Sequence, residues 1–452
     1  MEELLVRLEK ALWSWPLLLL LLGSGLWLLL RLRFLPLRAM PEALRLLFRS
    51  RKESGGVTAF GALCTALSAT IGTGNIVGVA TALALGGPGA LLWMELSALT
   101  GLSLKYAEGL LSVRYRTRDP EGKPRGGPFA YISLGLGRRW RPLAAAFALC
   151  GALAGLFGVG SFVQIGSLTA CLNLLWSAAF GRLPELLLPW GPSVSIPGAA
   201  AGLLLALFAA RLIFGGLERI SRASARLVPF MGGLYLFLCL WILFRFHERL
   251  PEVILRILRG AFRPQAVGAG LLGTVMAGVS RGVFSNEAGL GTAPIASAAA
   301  VGVTPREQGL ISMTATVFDT LLICTLTGLV LLVTDAEGAG VGAAMTAFAR
   351  GLPLPALLSQ GLIFGILALF AFTTAVGWSF YGVSCLDWLS GGSAWLRKRY
   401  LIWYICTIAL APLCSARGVW AAAGIWNGLM AIPNVLALLL LADRVAESSK
   451  LP

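Results

Sequence analysis

Residues 68–75 read Ser-Ala-Thr-Ile-Gly-Thr-Gly-Asn and lie in the middle of an apolar run from residue 57 to residue 86. Gly72 and Gly74, separated by one residue, weaken the interior of a helix. Lipid cannot hydrogen-bond an unwound backbone, so such a segment must line a cavity or be buried in protein. The stretch therefore predicts a transmembrane helix that is broken at mid-membrane.

A second long run, residues 265–300, is interrupted at residues 281–291, where Ser285 or Asn286 is predicted to cap a second half-helix. Residues 75–82 and 286–293 are identical at four of eight positions, at an offset of 211 residues. A half-helix C-terminus offers carbonyls to a cation, and an N-terminus offers N–H groups to a carboxylate. The two breaks thus suit a zwitterion with a sodium ion, although glycines used only for tight helix packing are the alternative.

The composition places these breaks in a membrane protein. Of the 452 residues, 57% are apolar and 13% are charged, against about 25% charged in soluble domains. The net charge of +16 does not indicate nucleic-acid binding, because the basic residues lie in short loops between apolar segments. One histidine and eight cysteines, nearly all in apolar runs and without a CxxC pair, favour buried thiols over a metal site or disulfides.

Eleven segments approach the length of about 20 apolar residues that a span requires. They are residues 12–31, 57–86, 88–113, 142–176, 194–215, 225–245, 265–300, 308–333, 357–388, 400–414 and 417–442. Spans two to six and seven to eleven form two sets of five, and an odd number inverts the second set, as in many secondary transporters. The predicted fold is therefore an all-α polytopic membrane protein with a 5+5 inverted repeat and one extra N-terminal helix.

The corresponding domains are residues 1–54 (extra helix and basic loop), 55–245 (first repeat), 246–442 (second repeat) and 443–452 (tail). Loop arginines, such as those between residues 31 and 52, place the N-terminus outside and the C-terminus in the cytoplasm. One loop does not fit this orientation, because residues 246–264 are predicted to lie outside and yet carry four arginines.

Several motifs resemble the alanine/glycine:cation symporter family. They are the segment 65–81, Gly86-Gly-Pro-Gly89, Lys105-Tyr-Ala-Glu108, Gly126-Gly-Pro128, Arg281-Gly282, the segment 285–291, Asp319-Thr320 and Gly377-Trp378, spread over roughly residues 55–390. The resemblance implies the fold of the bacterial leucine transporter and uptake of alanine or glycine with sodium, or with protons in some members. It also implies a bacterial or archaeal plasma membrane, the lipid bilayer as partner, no cofactor and no nucleic acid.

The resemblance further implies which residues bind. The implied substrate residues are Thr73, Gly74, Gln164, Phe284, Thr374 and Trp378. The implied cation ligands are the carbonyls of Ser68 and Ile71 with the hydroxyls of Thr373 and Thr374. Adding the repeat offset to Gln164 gives position 375, beside Thr374, so equivalent spans contribute. Phe284 and Trp378 are expected to limit side-chain volume, with ordinary packing as the alternative for Trp378.

Charged residues within the spans are the last candidates. Lys105 and Glu108 lie three apart on one helix face, and Glu108 plus 211 gives Asp319, so each repeat carries a carboxylate at the same place. Such groups are functional by default, with a structural pair as the alternative. The chain departs from the family pattern at Glu95, Ser161 and Val383, which leaves substrate preference and cation identity open.

Three function classes compete on this sequence. A cation-coupled amino-acid symporter is favoured over a receptor or channel built on the same fold, because a channel needs pore-lining rings rather than two helix breaks. An intramembrane enzyme needs a nucleophile–base pair or metal ligands in a span, and His247 near a loop is the one histidine. We therefore expect no enzymatic activity.

Overall fold

The computed structural model describes residues 2–48, 57–119, 122–187, 193–262 and 270–450. The predicted domain boundary at residue 54, part of the basic loop, and the first residues of the predicted span 265–300 lie outside these ranges. The helices are α1 Glu2–Leu12, α2 Trp15–Arg31, α3 Leu35–Arg38, α4 Met40–Leu47, α5 Ala59–Thr70, α6 Val79–Gly86, α7 Gly89–Arg114, α8 Pro128–Gly135, α9 Arg141–Phe157, α10 Gln164–Phe180, α11 Ile196–Ile213, α12 Gly216–Arg245, α13 Leu250–Phe262, α14 Gly270–Asn286, α15 Ala293–Ser297, α16 Pro305–Thr316, α17 Thr325–Val333, α18 Gly340–Gly351, α19 Ala356–Ser390, α20 Ala394–Leu410, α21 Ala416–Leu440 and α22 Ala442–Ser448.

Local capping fixes where several of these helices begin. Thr58 accepts from the Gly61 N–H at the start of α5, and Ser195 and Ser415 cap α11 and α21 in the same way. Thr304 forms a reciprocal capping box with Glu307 at α16. Each cap satisfies backbone N–H groups that the first helical turn leaves without partners.

Within the described ranges, seven helices are long and apolar enough to cross a membrane, and the bent pair α5–α6 makes an eighth. These match eight of the eleven predicted segments. The other three correspond to α7, to α14 with α15, and to α20. They are helical too, but α7 carries Glu95, Lys105 and Glu108, and α20 is only 17 residues long.

The first predicted break lies where the sequence places it. Helix α5 ends at Thr70, and a π-helical turn, Gly74–Gly78, leads into α6. The two halves are bent by 52°. Gly72 and Gly74 have no Cβ atom, so their backbone leaves the helical conformation more easily than that of other residues.

The second break lies later than expected. Helix α14 continues through Asn286, so Ser285 and Asn286 end the first half-helix and the prediction that one of them caps the second is wrong. The backbone leaves the helix at Glu287, Gly289 and Gly291, which all have positive φ. The second half, α15, begins at Ala293 with Thr292 before it.

Short strands tie these helices together. β1 (Val57–Thr58) pairs in parallel with β6 (Ala300–Val301), which joins the chain before α5 to the chain after α15. The other two pairs are hairpins, of β2 (Thr117–Arg118) with β3 (Pro124–Arg125) and of β4 (Glu185–Leu187) with β5 (Ser193–Ser195). The outer ends of the two broken helices are thus linked by backbone hydrogen bonds.

The orientation remains a prediction that reporter fusions can check. Fusions of a phosphatase or fluorescent reporter after Arg45 and after Arg118 should both read cytoplasmic, because arginine-rich loops are retained on that side. A fusion after Asp335 should read external and serves as the control. An external reading at Arg45 or Arg118 would contradict the assigned orientation.

Candidate functional site

The first break diverts two backbone donors from their helical acceptors. In a continuous helix the Gly72 and Thr73 N–H groups would bond to the carbonyls of Ser68 and Ala69. Here the Gly72 N–H donates to Asn75 Oδ1 at 2.9 Å, and the Thr73 N–H donates to Gln164 Oε1 at 2.9 Å. The carbonyls of Ser68 and Ala69 therefore lose their usual donors inside the membrane region.

Four predicted substrate residues come together around this break. The Thr73 hydroxyl also donates to Gln164 Oε1, at 3.0 Å. A Cβ added at Gly72 would lie 2.8 Å from Thr374 Oγ1 and 2.9 Å from Gln164 Oε1, so a side chain at this position would displace one of these groups. At Gly74, by contrast, an added Cβ would meet nothing within 4 Å. Gly74, the next residue after Thr73, therefore borders open space, whereas Gln164 and Thr374 lie against Gly72.

Three of the four predicted cation ligands also converge. The Thr374 hydroxyl donates to the Ile71 carbonyl at 3.2 Å. Gly377, one turn further along α19, lies against α5, since its added Cβ would be 2.9 Å from Ser68 Oγ. Thr373 faces elsewhere: its hydroxyl donates to the Leu369 carbonyl at 3.0 Å and contacts Met231 Sδ at 3.4 Å. The structure therefore places Ser68, Ile71 and Thr374 together and Thr373 apart from the break.

The second break differs, because side chains occupy several of its backbone groups. The Ala288 N–H donates to Asn286 Oδ1 at 2.9 Å, and the Gly291 N–H donates to Glu108 Oε1 at 3.0 Å. Asn434 Nδ2 donates to the Gly289 carbonyl at 2.9 Å. We expected both breaks to leave backbone N–H and carbonyl groups free for ligands. This is wrong for the second break, where Glu108 of α7 and Asn434 of α21 bind the Gly291 N–H and the Gly289 carbonyl.

The two predicted aromatic residues lie near the second break but do not contact each other. Trp378 is buried, and its indole N–H donates to Glu287 at 3.2 Å. The ring of Phe284 packs 5.2 Å from that of Trp420, whose face also carries the Arg281 guanidinium at 5.3 Å. Within the described residues, no ring contact joins Phe284 to Trp378. The limit on side-chain volume that these two residues are expected to set stays a prediction.

The buried carboxylates connect the two repeats reciprocally. Glu108, from the first repeat, accepts from Gly291 in the second break. Asp319, from the second repeat, accepts from Asn75 Nδ2 in the first break at 2.8 Å and from Ser285 at 2.9 Å. Each carboxylate thus holds the broken helix of the other repeat, in accordance with the repeat offset.

Lys105 does not form the expected contact pair with Glu108. The carboxylate reaches Gly291 and Asn434 Nδ2, the latter at 2.7 Å, and the ammonium has no hydrogen-bond partner in the described part of the chain. Lys105 is fully buried in α7 and makes no hydrogen bond or ion pair with a carboxylate of the described residues. The expected pair with Glu108 is therefore not formed.

The three departures from the family pattern lie outside this convergence. Glu95 presents a buried carboxylate oxygen without a hydrogen-bond partner among the described residues. The Ser161 hydroxyl donates to the Leu156 carbonyl at 2.7 Å, within the turn between α9 and α10. Val383 lines a cavity of about 370 Å³ between α19 and the start of α12. None of the three has a recorded hydrogen bond to the first break.

Comparison with known proteins identifies the chain. The family description "Sodium:alanine symporter family" matches residues 1–450. This chain belongs to the sodium:alanine symporter family. A transporter of Haemophilus influenzae, named as uncharacterized, is 44% identical over 464 residues, covering 99% of this chain and 95% of the relative. The sodium/alanine symporter AgcS of Methanococcus maripaludis is 40% identical, covering 97% of this chain and 94% of the relative.

A solved structure supports the fold independently. The transporter MhsT, crystallised with L-phenylalanine, aligns with a TM-score of 0.58 over 88% of this chain and 100% of its own, at 15% identity. The predicted all-α polytopic membrane fold of the leucine-transporter type is thus confirmed. The family and its relatives are transporters, so the chain is a multi-pass membrane symporter for amino acids and not an enzyme.

Sequence analysis did not select several residues that organise this site. Asn75 and Asn286 each accept a backbone N–H at a break, and both stand at matching positions of the repeat. That identity was a usable signal for them. Glu287 and Asn434 gave no comparable signal, because their contacts to Trp378 and Gly289 join residues 91 and 145 positions apart.

Gln164 provides a direct check on the first break. Replacing Gln164 by Leu leaves the Thr73 N–H and hydroxyl without their acceptor and removes an amide from the open space. A hydrogen bond from the Gln164 amide to the charged carboxylate of alanine contributes about 1.5–3 kcal/mol. The affinity for alanine, measured by binding to purified transporter, should therefore fall roughly 10- to 150-fold.

The matched variant is Gln164→Glu, which keeps an acceptor for Thr73. It separates loss of the fold from loss of the ligand contact, because the melting temperature should fall less in Gln164→Glu than in Gln164→Leu. Alanine affinity like that of the wild type in Gln164→Leu would remove Gln164 from the site.

Proposed function

We propose that this symporter takes up alanine or glycine together with sodium, and that both bind at the first break. The observation that supports this most directly is the diversion of the Gly72 and Thr73 N–H groups to side chains. One event frees carbonyl oxygens on one side of the break and leaves open space on the other. The break thus offers partners to a cation and to a small zwitterion at adjacent positions.

The cation is proposed to bind between α5 and α19. The carbonyl of Ser68 has lost its helical donor, and among the described residues the carbonyl of Ile71 accepts from the Thr374 hydroxyl alone. Neutral oxygen ligands of this kind suit a hard cation such as sodium. No titratable side chain is among them, which favours sodium over a proton as the bound ion. The name of the relative AgcS agrees with this coupling.

The amino acid is proposed to bind beside Gly74. The Gly74 N–H makes no hydrogen bond to a described residue, and it belongs to the first turn of the second half-helix, the end that carries partial positive charge. Gln164 Nε2 lies close to Gly72 and is not engaged by a described partner. These N–H groups suit a substrate carboxylate. Phe284 and Trp378 are proposed to come closer to the substrate in other conformations of the transport cycle.

The cavity below α19 is a suitable release route. It is lined by Ser379 and Val383 on α19, and its rim carries Arg125, which pairs with Asp387 at 3.1 Å. Arg397 pairs with the same carboxylate at 2.9 Å. We propose that separation of these pairs widens the cavity toward the first break, as alternating access requires.

Proton coupling is the alternative, and a specific observation favours it. Glu108 is fully buried in α7, and its Oε2 has no hydrogen-bond partner among the described residues. A buried carboxylate oxygen without a partner is costly unless the group is protonated. Asp319 is a weaker candidate, because Asn75, Ser285 and Thr320 all donate to it.

Flux measurements decide between the two couplings. In proteoliposomes, an imposed sodium gradient at fixed pH should drive uptake of labelled alanine, because the predicted ion site has only neutral ligands. A pH gradient without sodium should drive none. Uptake driven by the pH gradient alone would reject the sodium site and favour Glu108.

Unlabelled glycine should compete with labelled alanine for uptake, and leucine should not. Equal competition by leucine would contradict the proposal that the site accepts only small amino acids.

Paired threonine variants test the cation site itself. Thr374→Ala removes the hydroxyl beside the Ile71 carbonyl, so the sodium concentration for half-maximal uptake should rise roughly 2- to 12-fold, from about 0.5–1.5 kcal/mol for one hydrogen-bonding group. Because Thr374 also borders the substrate space, the half-maximal alanine concentration should rise as well.

Thr373→Ala is the matched control on the neighbouring residue. Its hydroxyl faces Met231 and its own helix, so the geometry predicts little change in sodium dependence. Thr374→Ser, which keeps a hydroxyl, should restore the wild-type sodium concentration. A larger sodium effect from Thr373→Ala than from Thr374→Ala would contradict this proposal. It would show that the Thr373 hydroxyl is a sodium ligand, as the family resemblance implies.

A further inference from the structure

A basic pocket lies at the end of α2, far in sequence from the breaks. It has a volume of about 440 Å³, within the usual range of about 300–1,000 Å³ for ligand sites. Arg31, Arg33, Arg38 and Lys450 line it, and the remaining lining residues are uncharged. No acidic side chain forms its wall. The pocket is therefore a concentrated positive site that two distant parts of the chain build together.

Most of this charge is not neutralised by the protein. Arg31 pairs with Asp443, which lies outside the lining. Arg33, Arg38 and Lys450 form no ion pair with any residue of the described ranges. Guanidinium groups present paired donors that match the oxygens of a phosphate. The pocket is thus suited to an anion of the kind that arginine binds best.

The walls of the pocket are fixed by the local fold. Arg33 and Phe34 both adopt positive φ, at 52° and 61°, so the chain turns sharply after α2 and directs the following segment into α3. The opposite wall, α22 and the residues after it, is held to α7. Tyr106 and Ser449 share a hydrogen bond of 2.9 Å, and Arg114 donates to Ser448.

The surroundings place this pocket at the surface of the bilayer. Helix α2 is the apolar span of the N-terminal segment, and it ends at Arg31. Beside the arginines, Leu30 is 53% exposed, and Phe34 and Leu37 are each 40% exposed. Exposed apolar side chains next to basic ones fit the boundary between acyl chains and headgroups. A soluble anion would gain nothing from them, whereas a lipid would cover them.

We propose that this pocket binds the phosphate headgroup of an anionic glycerophospholipid, with its acyl chains along α2, Phe34 and Leu37. Basic pockets between helices at a membrane surface are suited to such headgroups. The bound lipid would join the N-terminal segment to the C-terminal helix α22 through a shared counter-ion. This site is independent of the substrate and cation proposals, and it can be tested without transport.

The test is lipid-dependent stability of the purified, delipidated full chain in detergent. Phosphatidylglycerol should raise the melting temperature in a saturable way, whereas phosphatidylcholine and inorganic phosphate should not. In the double variant Arg33→Gln/Arg38→Gln the apparent affinity for phosphatidylglycerol should fall about 25-fold. This follows from about 1 kcal/mol, or about fivefold, for each basic residue near an anionic membrane.

The control is Arg139→Gln/Arg141→Gln, which removes two exposed charges at the start of α9 and just before it. It should keep the phosphatidylglycerol response of the wild type. Lys450→Gln, near the chain end, provides a single-charge variant with an expected loss of about fivefold if the double variant fails to fold. An equal loss in the control would indicate general surface electrostatics and overturn the proposal. An equal response to inorganic phosphate, or no response to phosphatidylglycerol, would overturn the lipid assignment.

Discussion

The site depends on a competition for two buried backbone N–H groups in the middle of a transmembrane helix. At Gly72 and Thr73 the side chains of Asn75 and Gln164 are the acceptors, in place of the preceding turn of α5. Glycine makes the departure from the helix inexpensive, but the two amide side chains make it stable. Without them the break would leave buried donors unpaired, each at a cost of about 1–3 kcal/mol. The freed carbonyls and the space at Gly74 are consequences of this exchange.

The same logic explains why carboxylates are tolerated within the spans. Asp319 is bound to Asn75, so the residue that holds the first break is itself held by the second repeat. Glu108 holds Gly291, so the second break depends on the first repeat. A carboxylate is an acceptor strong enough to compete with a helix for backbone and amide donors. The reciprocal exchange ties the two repeats together at the points where each is weakest.

The N-terminal helices extend this support and do not simply add a span. Leu21 of α2 packs against Gly289 of the second break. A Cβ added at Gly289 would lie only 2.7 Å from the Leu21 side chain. Ser103 of α7 donates to the Gly25 carbonyl, and Trp13 donates to the Gly424 carbonyl of α21 at 2.9 Å. The second break is therefore enclosed by α2, α7 and α21. This enclosure agrees with the side-chain hydrogen bonds to Ala288, Gly289 and Gly291, and it contrasts with the open space at Gly74 in the first break.

The sequence by itself determined the apolar segments, the positions of the weakened helix interiors and the family, because hydropathy, glycine content and motif spacing are local properties. It also paired Glu108 with Asp319 and Asn75 with Asn286, since a repeat preserves its offset. Only the tertiary structure decided which groups meet. The continuation of α14 through Asn286, the contact of Phe284 with Trp420 and the orientation of Thr373 toward Met231 depend on which helix faces lie together. Glu108 and Gly291 are 183 positions apart, and no local pattern encodes a hydrogen bond over that separation.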